Sequence, residues 1–131
     1  MIAFTVPGDP VPQPRPRVST VGGFARAYVP KDHPVHAYRQ AVALAARLAG
    51  LRQTDTPMNV CIVAVFKRPA SHVTAKGAVK ATAPKVPRPD VDNIAKAVLD
   101  ALGKFFDDTL VESLSVSKSY GDVASTKVVI A

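Results

Sequence analysis

Cysteine is almost missing. Cys61 is the only one in 131 residues, so neither a disulfide framework nor a cysteine zinc cluster can form within one chain. It lies in the apolar run M-N-V-C-I-V-A-V-F from Met58 to Phe66, where a free thiol acts as a small core hydrophobe. Long hydrophobic runs are missing too. No segment approaches the roughly 20 apolar residues of a membrane span, and the opening M-I-A-F-T-V-P-G-D-P has neither the charged n-region nor the apolar h-region of a signal peptide. These absences point to a cytoplasmic protein without a membrane partner. The length suits one domain over residues 1–131, with enough chain to bury its own core.

Acid is the other scarce commodity, with 10 Asp and Glu against 17 Lys and Arg and a formal charge of +7. Such a balance favours nucleic acid or an anionic membrane as partner, and it is also compatible with an ordinary soluble basic protein. Scarcity makes the distribution informative. Six of the 10 acids (Asp90, Asp92, Asp100, Asp107, Asp108, Glu112) fall between residues 88 and 112, beside only Arg88, Lys96 and Lys104. A cationic surface around one carboxylate cluster is what an enzyme requires to attract a polyanion and hold a divalent metal against its phosphate. A metal-dependent nuclease is the first expectation.

Hydrophobic periodicity and turn residues set the order of elements. Residues 2–6 form a β-prone run that a proline series stops, at Pro7, Pro10, Pro12, Pro14 and Pro16. That extended segment carries Arg15 and Arg17 outward, either as a phosphate-contacting arm or as a solvated connection. A short strand is expected over Gly23–Val29, then a helix over Pro34–Leu48 with Tyr38, Ala41, Val42, Ala45 and Leu48 on its buried stripe and Gly50 as its stop. His33 and His36 near its start read as solvated, since no third metal ligand lies nearby. Met58–Phe66 suits a central strand covered on both faces. Residues 70–88 hold Lys76, Lys80, Lys85 and Arg88 without an acid, which predicts a flexible basic loop that contacts nucleic acid. A helix over Asp90–Leu102 follows, and then a hairpin of Leu110–Tyr120 with Thr126–Ile130 turning at Gly121-Asp122. The expected fold is α+β, in the order β(β)αβαββ: a small mixed β-sheet with two helices packed on it.

Asp90 and Asp92 flank Val91 at the helix entrance, where two repelling carboxylates suit a hard cation. One of them also suits an N-cap, with the other favoured by the helix dipole. A cap needs a single carboxylate. It leaves the pair Asp107-Asp108 after the helix unexplained, although both are ordinary turn residues in isolation. If the strand after that pair ran beside the helix entrance, three carboxylates would converge. Lys96 stands four residues from both Asp92 and Asp100, as an ion-pair ladder or as a charge aimed at a phosphorane.

The string P-D-V-D-N-I-A-K-A-V-L-D-A-L followed by D-D, over residues 89–108, resembles the signature of the RusA family of Holliday junction resolvases. The P-Q-P-R-P-R segment at Pro12–Arg17 and the helix around Tyr38 resemble that family's N-terminal half. The resemblance implies a homodimer that binds a four-way DNA junction and, with magnesium or manganese as its substitute, cuts two opposed strands symmetrically. It implies that Asp90, Asp92 and Asp108 hold the metal, with Asp107 as the substitute for Asp108, and that Lys96 assists catalysis. Asn93 and Asp100 take supporting places, Asp100 as the partner of Lys96. Arg15, Arg17, Lys76, Lys80, Lys85 and Arg88 are the candidate DNA contacts. Two rival functions are a non-catalytic basic protein that holds branched DNA and a metal-dependent hydrolase of nucleotides or RNA.

Overall fold

Two of the strands expected to pair with each other do not, and that fact organises the molecule. The computed structural model describes residues 1–80 and 86–131. Its elements are β1 (Ile2–Pro7), β2 (Arg17–Ser19), β3 (Arg26–Tyr28), α1 (Val35–Leu48), β4 (Met58–Lys67), α2 (Val91–Leu102), β5 (Val111–Gly121) and β6 (Ser125–Ile130), with single 3₁₀ turns at Ala70–His72 and Asp108–Leu110. The main sheet has the order β1-β6-β4-β5. β4 therefore lies between β5 and β6, and the hairpin expected at Gly121-Asp122 is instead a crossover. The reason is apolar content: β4 buries Met58, Val60, Ile62 and Ala64 and takes the interior place, flanked by antiparallel β6 and parallel β5.

A parallel β4–β5 pair needs a crossover connection, and α2 provides it. Both helices lie on the sheet face made by Phe4, Val6, Val60, Ile62, Ala64, Val128 and Ile130, where they add Val35, Val42, Ile94, Val98 and Leu102 to one core. On the other face Cys61, Val63 and Val65 are only half-buried, with Ser113, Ser115, Ser117 and Ser119 exposed in register beside that row. Among the described residues β4 is thus covered on one face rather than two.

The buried stripe of α1 is Val35, Tyr38, Val42, Ala43 and Ala46, rotated from the expected one so that Ala41 and Leu48 face solvent. Tyr38 sets that rotation. Its hydroxyl reaches Thr126 Oγ1 of β6 at 2.6 Å, the one polar side chain buried in the core among the described residues. Burial pushes the Tyr38 phenol up from its ordinary value, and the bond to Thr126 opposes the rise. His33 caps the helix, its Nδ1 accepting the Val35 N–H at 3.1 Å. Gly50 ends it at φ +100°, where Leu51 N–H returns to Ala46 C=O at 3.0 Å.

Among the described residues β2 and β3 pair only with each other. The short strand expected at Gly23–Val29 is present as Arg26–Tyr28, but in a separate ribbon and not in the main sheet. In the basic segment, Val73 bridges Val79 and Lys80 N–H donates to His72 C=O at 2.9 Å, closing a small turn over residues 70–80.

Candidate metal and nucleic-acid site

The residue before α2 is where an N-cap would sit. Asp90 has the extended backbone of a cap (φ −69°, ψ 148°), and its carbonyl accepts the Ile94 N–H at 3.2 Å, yet its carboxylate accepts no bond from the first turn. Asp92, in that turn, accepts only the N–H of Asn93 at 3.0 Å. Both side chains are exposed. Two carboxylates, two residues apart at the positive end of a helix and not consumed by capping, are free to bind a cation.

Three contacts fix that entrance. Lys118 of β5 donates from Nζ to the carbonyls of Pro89 at 2.9 Å and Pro87 at 3.5 Å. Gln13, in the proline-rich segment, donates its N–H to Asn93 C=O at 2.9 Å. Val86 is buried beneath the approach. Sequence reasoning missed Lys118, although a signal existed: Leu114, Val116, Lys118 and Tyr120 alternate along the helix-facing side of β5, opposite Val60, Ile62, Ala64 and Phe66, and a lysine in that register asks for a partner.

Asp90 opens into a cleft of about 770 Å³ that Pro12, Gln13, Arg15, Arg88 and Asn93 also line. The expected phosphate-contacting residues Arg15 and Arg88 thus share a wall with the carboxylate. Arg17 stands two residues farther on, at the foot of β2. Lys76 and Lys80 are exposed on the 70–80 turn, whose base is anchored where the His72 ring meets Tyr120 edge-on at 5.1 Å and the Arg68 guanidinium lies 5.9 Å from the Tyr120 ring centre. Lys85 lies outside the described residues.

Lys96 is exposed on α2 one turn after Asp92. The expected pairing of Lys96 with Asp100 is replaced by Arg39, which reaches across from α1 to Asp100 Oδ2 at 3.4 Å. Arg39 also donates to Gln13 Oε1, so a single guanidinium joins α1, α2 and the proline-rich segment. Lys96 is left to face solvent.

Asp107 and Asp108 do not join Asp90 and Asp92 within one chain. A parallel β5 must begin at the exit of α2, and the 12 residues of that helix separate its two ends by roughly 18 Å at ~1.5 Å per residue. Asp107 instead caps the 3₁₀ turn, its Oδ1 accepting the Thr109 N–H at 3.0 Å. That backbone bond, first among several, holds the Asp107 carboxyl below the usual carboxylate range. Asp108 lines a depression with Arg39, Asp100 and Asp107. Among the described residues no group of three or more His, Cys, Asp and Glu side chains is placed to hold a metal ion. Magnesium does not demand one, since it is commonly held by one or two carboxylates with water and substrate phosphate completing the shell. Asp90 and Asp92 fit that donor set.

No helix among the described residues is long and apolar enough to cross a membrane. The family model described as Endodeoxyribonuclease RusA matches residues 7–131. The chain is 34% identical over 136 residues to the Bacillus subtilis (strain 168) protein called "Uncharacterized protein YqaN", an alignment that takes in 98% of this chain and 94% of that protein.

Proposed function

The chain belongs to the RusA endodeoxyribonuclease family, and from that premise we propose that it is a magnesium-dependent, structure-selective endodeoxyribonuclease that resolves four-way DNA junctions as a homodimer. The observation that carries the reading is the state of Asp90, a residue in N-cap geometry whose carboxylate does no capping and faces a cleft walled by Arg15 and Arg88.

In this reading Asp90 and Asp92 hold the metal. Magnesium held there would supply Lewis-acid stabilisation of phosphate charge and a more acidic water, for a hydrolysis that leaves 5′-phosphate and 3′-hydroxyl ends. Arg15 and Arg88 orient the backbone on either side of the scissile bond. The ammonium of Lys96, one helical turn from Asp92 and without a carboxylate partner among the described residues, stabilises charge that develops on the phosphate. Arg17, Lys76, Lys80 and Lys85 extend the positive track along the DNA arms. Asp108 completes a metal site only from a second copy of the chain, because the length of α2 keeps it from the Asp90 of its own. Symmetric cuts in opposed strands suit two such sites related by a two-fold axis.

A synthetic four-way junction, incubated with and without magnesium beside a linear duplex of the same sequence, tests the proposal. Paired nicks in the junction alone, dependent on the metal, support it. A protein that binds the junction at every metal concentration and never cuts is the non-catalytic alternative.

A further inference from the structure

The ribbon of β2 and β3 buries almost nothing. It contributes only Val29, just past its end, to the periphery of the core, while Val18 is 68% exposed, Val21 86% and Phe24 69%. A lone two-stranded hairpin is marginal in water, and large apolar side chains at its tip need a reason. Charge and position supply one. From Pro10 to Lys31 the chain holds Arg15, Arg17, Arg26 and Lys31 and no acid. The pairing Arg17–Tyr28 and Ser19–Arg26 puts both ribbon arginines and the tyrosine on one face, since alternate residues share a side. The turn is built on Gly22 and Gly23, with φ +84° and +81°, and Phe24 follows them directly. The hairpin also starts at the site: Arg15 lines the cleft of Asp90, and β2 begins two residues later. Four further residues at ~3.3 Å each carry the tip roughly 13 Å beyond Arg17.

We infer that this hairpin is a branch-point probe: Arg17, Arg26 and Tyr28 track a phosphate backbone while Phe24 inserts at the open centre of a four-way junction and stacks on an unpaired or unstacked base. Apolar wedges and aromatic platforms of this type are a general means of gripping disrupted stacks, and each stacked base commonly contributes a factor of roughly 5 to 150 in affinity. Linear duplex offers no such opening, so the same side chain confers selectivity for the branch. The inference rests on the nuclease reading for its substrate and extends it to how that substrate is recognised.

The experiment uses the full-length protein in EDTA with a four-way junction that carries 2-aminopurine beside the branch point. Wild type should raise the fluorescence on binding. Phe24→Ala should lose that signal and bind the junction roughly 5- to 30-fold more weakly, with linear-duplex affinity changed less than about twofold; Phe24→Trp should restore both. An unchanged preference for the junction in Phe24→Ala, with the fluorescence rise intact, overturns the proposal. So does conversion of Phe24→Ala to a monomer in sedimentation with both DNA affinities lost together, which would make the hairpin a contact between two copies of the chain. A wild type that gives the fluorescence response but cuts no junction with magnesium defeats the nuclease reading and leaves the probe standing.

Discussion

Replacing Lys118 by methionine keeps the length of the side chain and removes the donor that ties the Pro87 and Pro89 carbonyls to β5. A hydrogen bond from a charged group contributes about 1.5–3 kcal/mol. Lys118 is half-buried, and its second contact is long at 3.5 Å, so the lower end of that range applies. Loosening the approach to Asp90 costs the metal its preorganised carboxylate, and at about 1.4 kcal/mol per factor of ten the magnesium concentration for half-maximal cleavage should rise roughly tenfold. Cleavage at saturating metal should stay close to wild type, and junction affinity in EDTA should move little, because one charge among many is lost. Lys118→Arg, which keeps a donor, should recover most of the metal affinity. Magnesium titrations of single-turnover cleavage, with a thermal melt on each variant, decide the matter. A lowered melting temperature with an unchanged magnesium half-point would refute the argument, since Lys118 would then be holding the fold and not the site.

Asp92→Asn should abolish cleavage yet bind the junction as well as wild type or better without metal, because a negative charge facing phosphate is gone; affinity that falls in step with activity would assign Asp92 to the fold. Asp108→Asn should be equally inactive, and mixing the two inactive proteins should restore cutting if each site draws carboxylates from two chains, whereas a dead mixture would exclude a shared site. Tyr38→Phe should cost about 1–3 kcal/mol in denaturant melts, as Thr126 Oγ1 loses its buried partner. In wild type the same phenol has a raised pKa, so stability should hold below the unfolded value near 10 and fall as pH rises toward the folded one, a loss that Tyr38→Phe should lack. Replacing Lys76, Lys80 and Lys85 together by alanine should flatten the slope of log affinity against log salt by about two to three units, and an unchanged slope would remove the segment from the DNA surface.

The sequence was most legible where chemistry and periodicity coincide. Val91–Leu102 forms the expected helix because Ile94, Ala97, Val98, Ala101 and Leu102 repeat at helical spacing, and Asp90 and Asp92 stand at its entrance as the motif implies. What stayed hidden was pairing. Strand runs announce themselves by composition, but nothing local to Val111–Gly121 states that it joins Met58–Lys67 in parallel and not Ser125–Ile130 across a tight turn. Asp107 and Asp108 follow Leu102 by a short turn and so lie at the exit of α2, and the parallel pairing runs β5 from there back toward the entrance. Arg39 was hidden for the same reason, since its bond to Asp100 depends on how α1 packs against α2, and the rotation of α1 follows from a hydroxyl contact between residues 38 and 126. The ribbon of Arg17–Ser19 and Arg26–Tyr28 was only half visible because it lacks the buried alternation that marks a strand.

Among the described residues β1 finds its partner only in β6, with Ile2 opposite Ile130 and Pro7 opposite Ser125, and β6 is also the link between β1 and β4. During synthesis β1 must therefore wait, unpaired, until β6 has left the ribosome. Pairings so distant along the chain are slow to form. The strap that carries Gln13 to Asn93 hangs from β1, so that one brace of the α2 entrance forms only after β6 has docked, while the tie from Lys118 needs only β5. A chain in which β6 has not yet docked accordingly carries its arginines and carboxylates without the bond between Gln13 and Asn93 that helps to hold the α2 entrance.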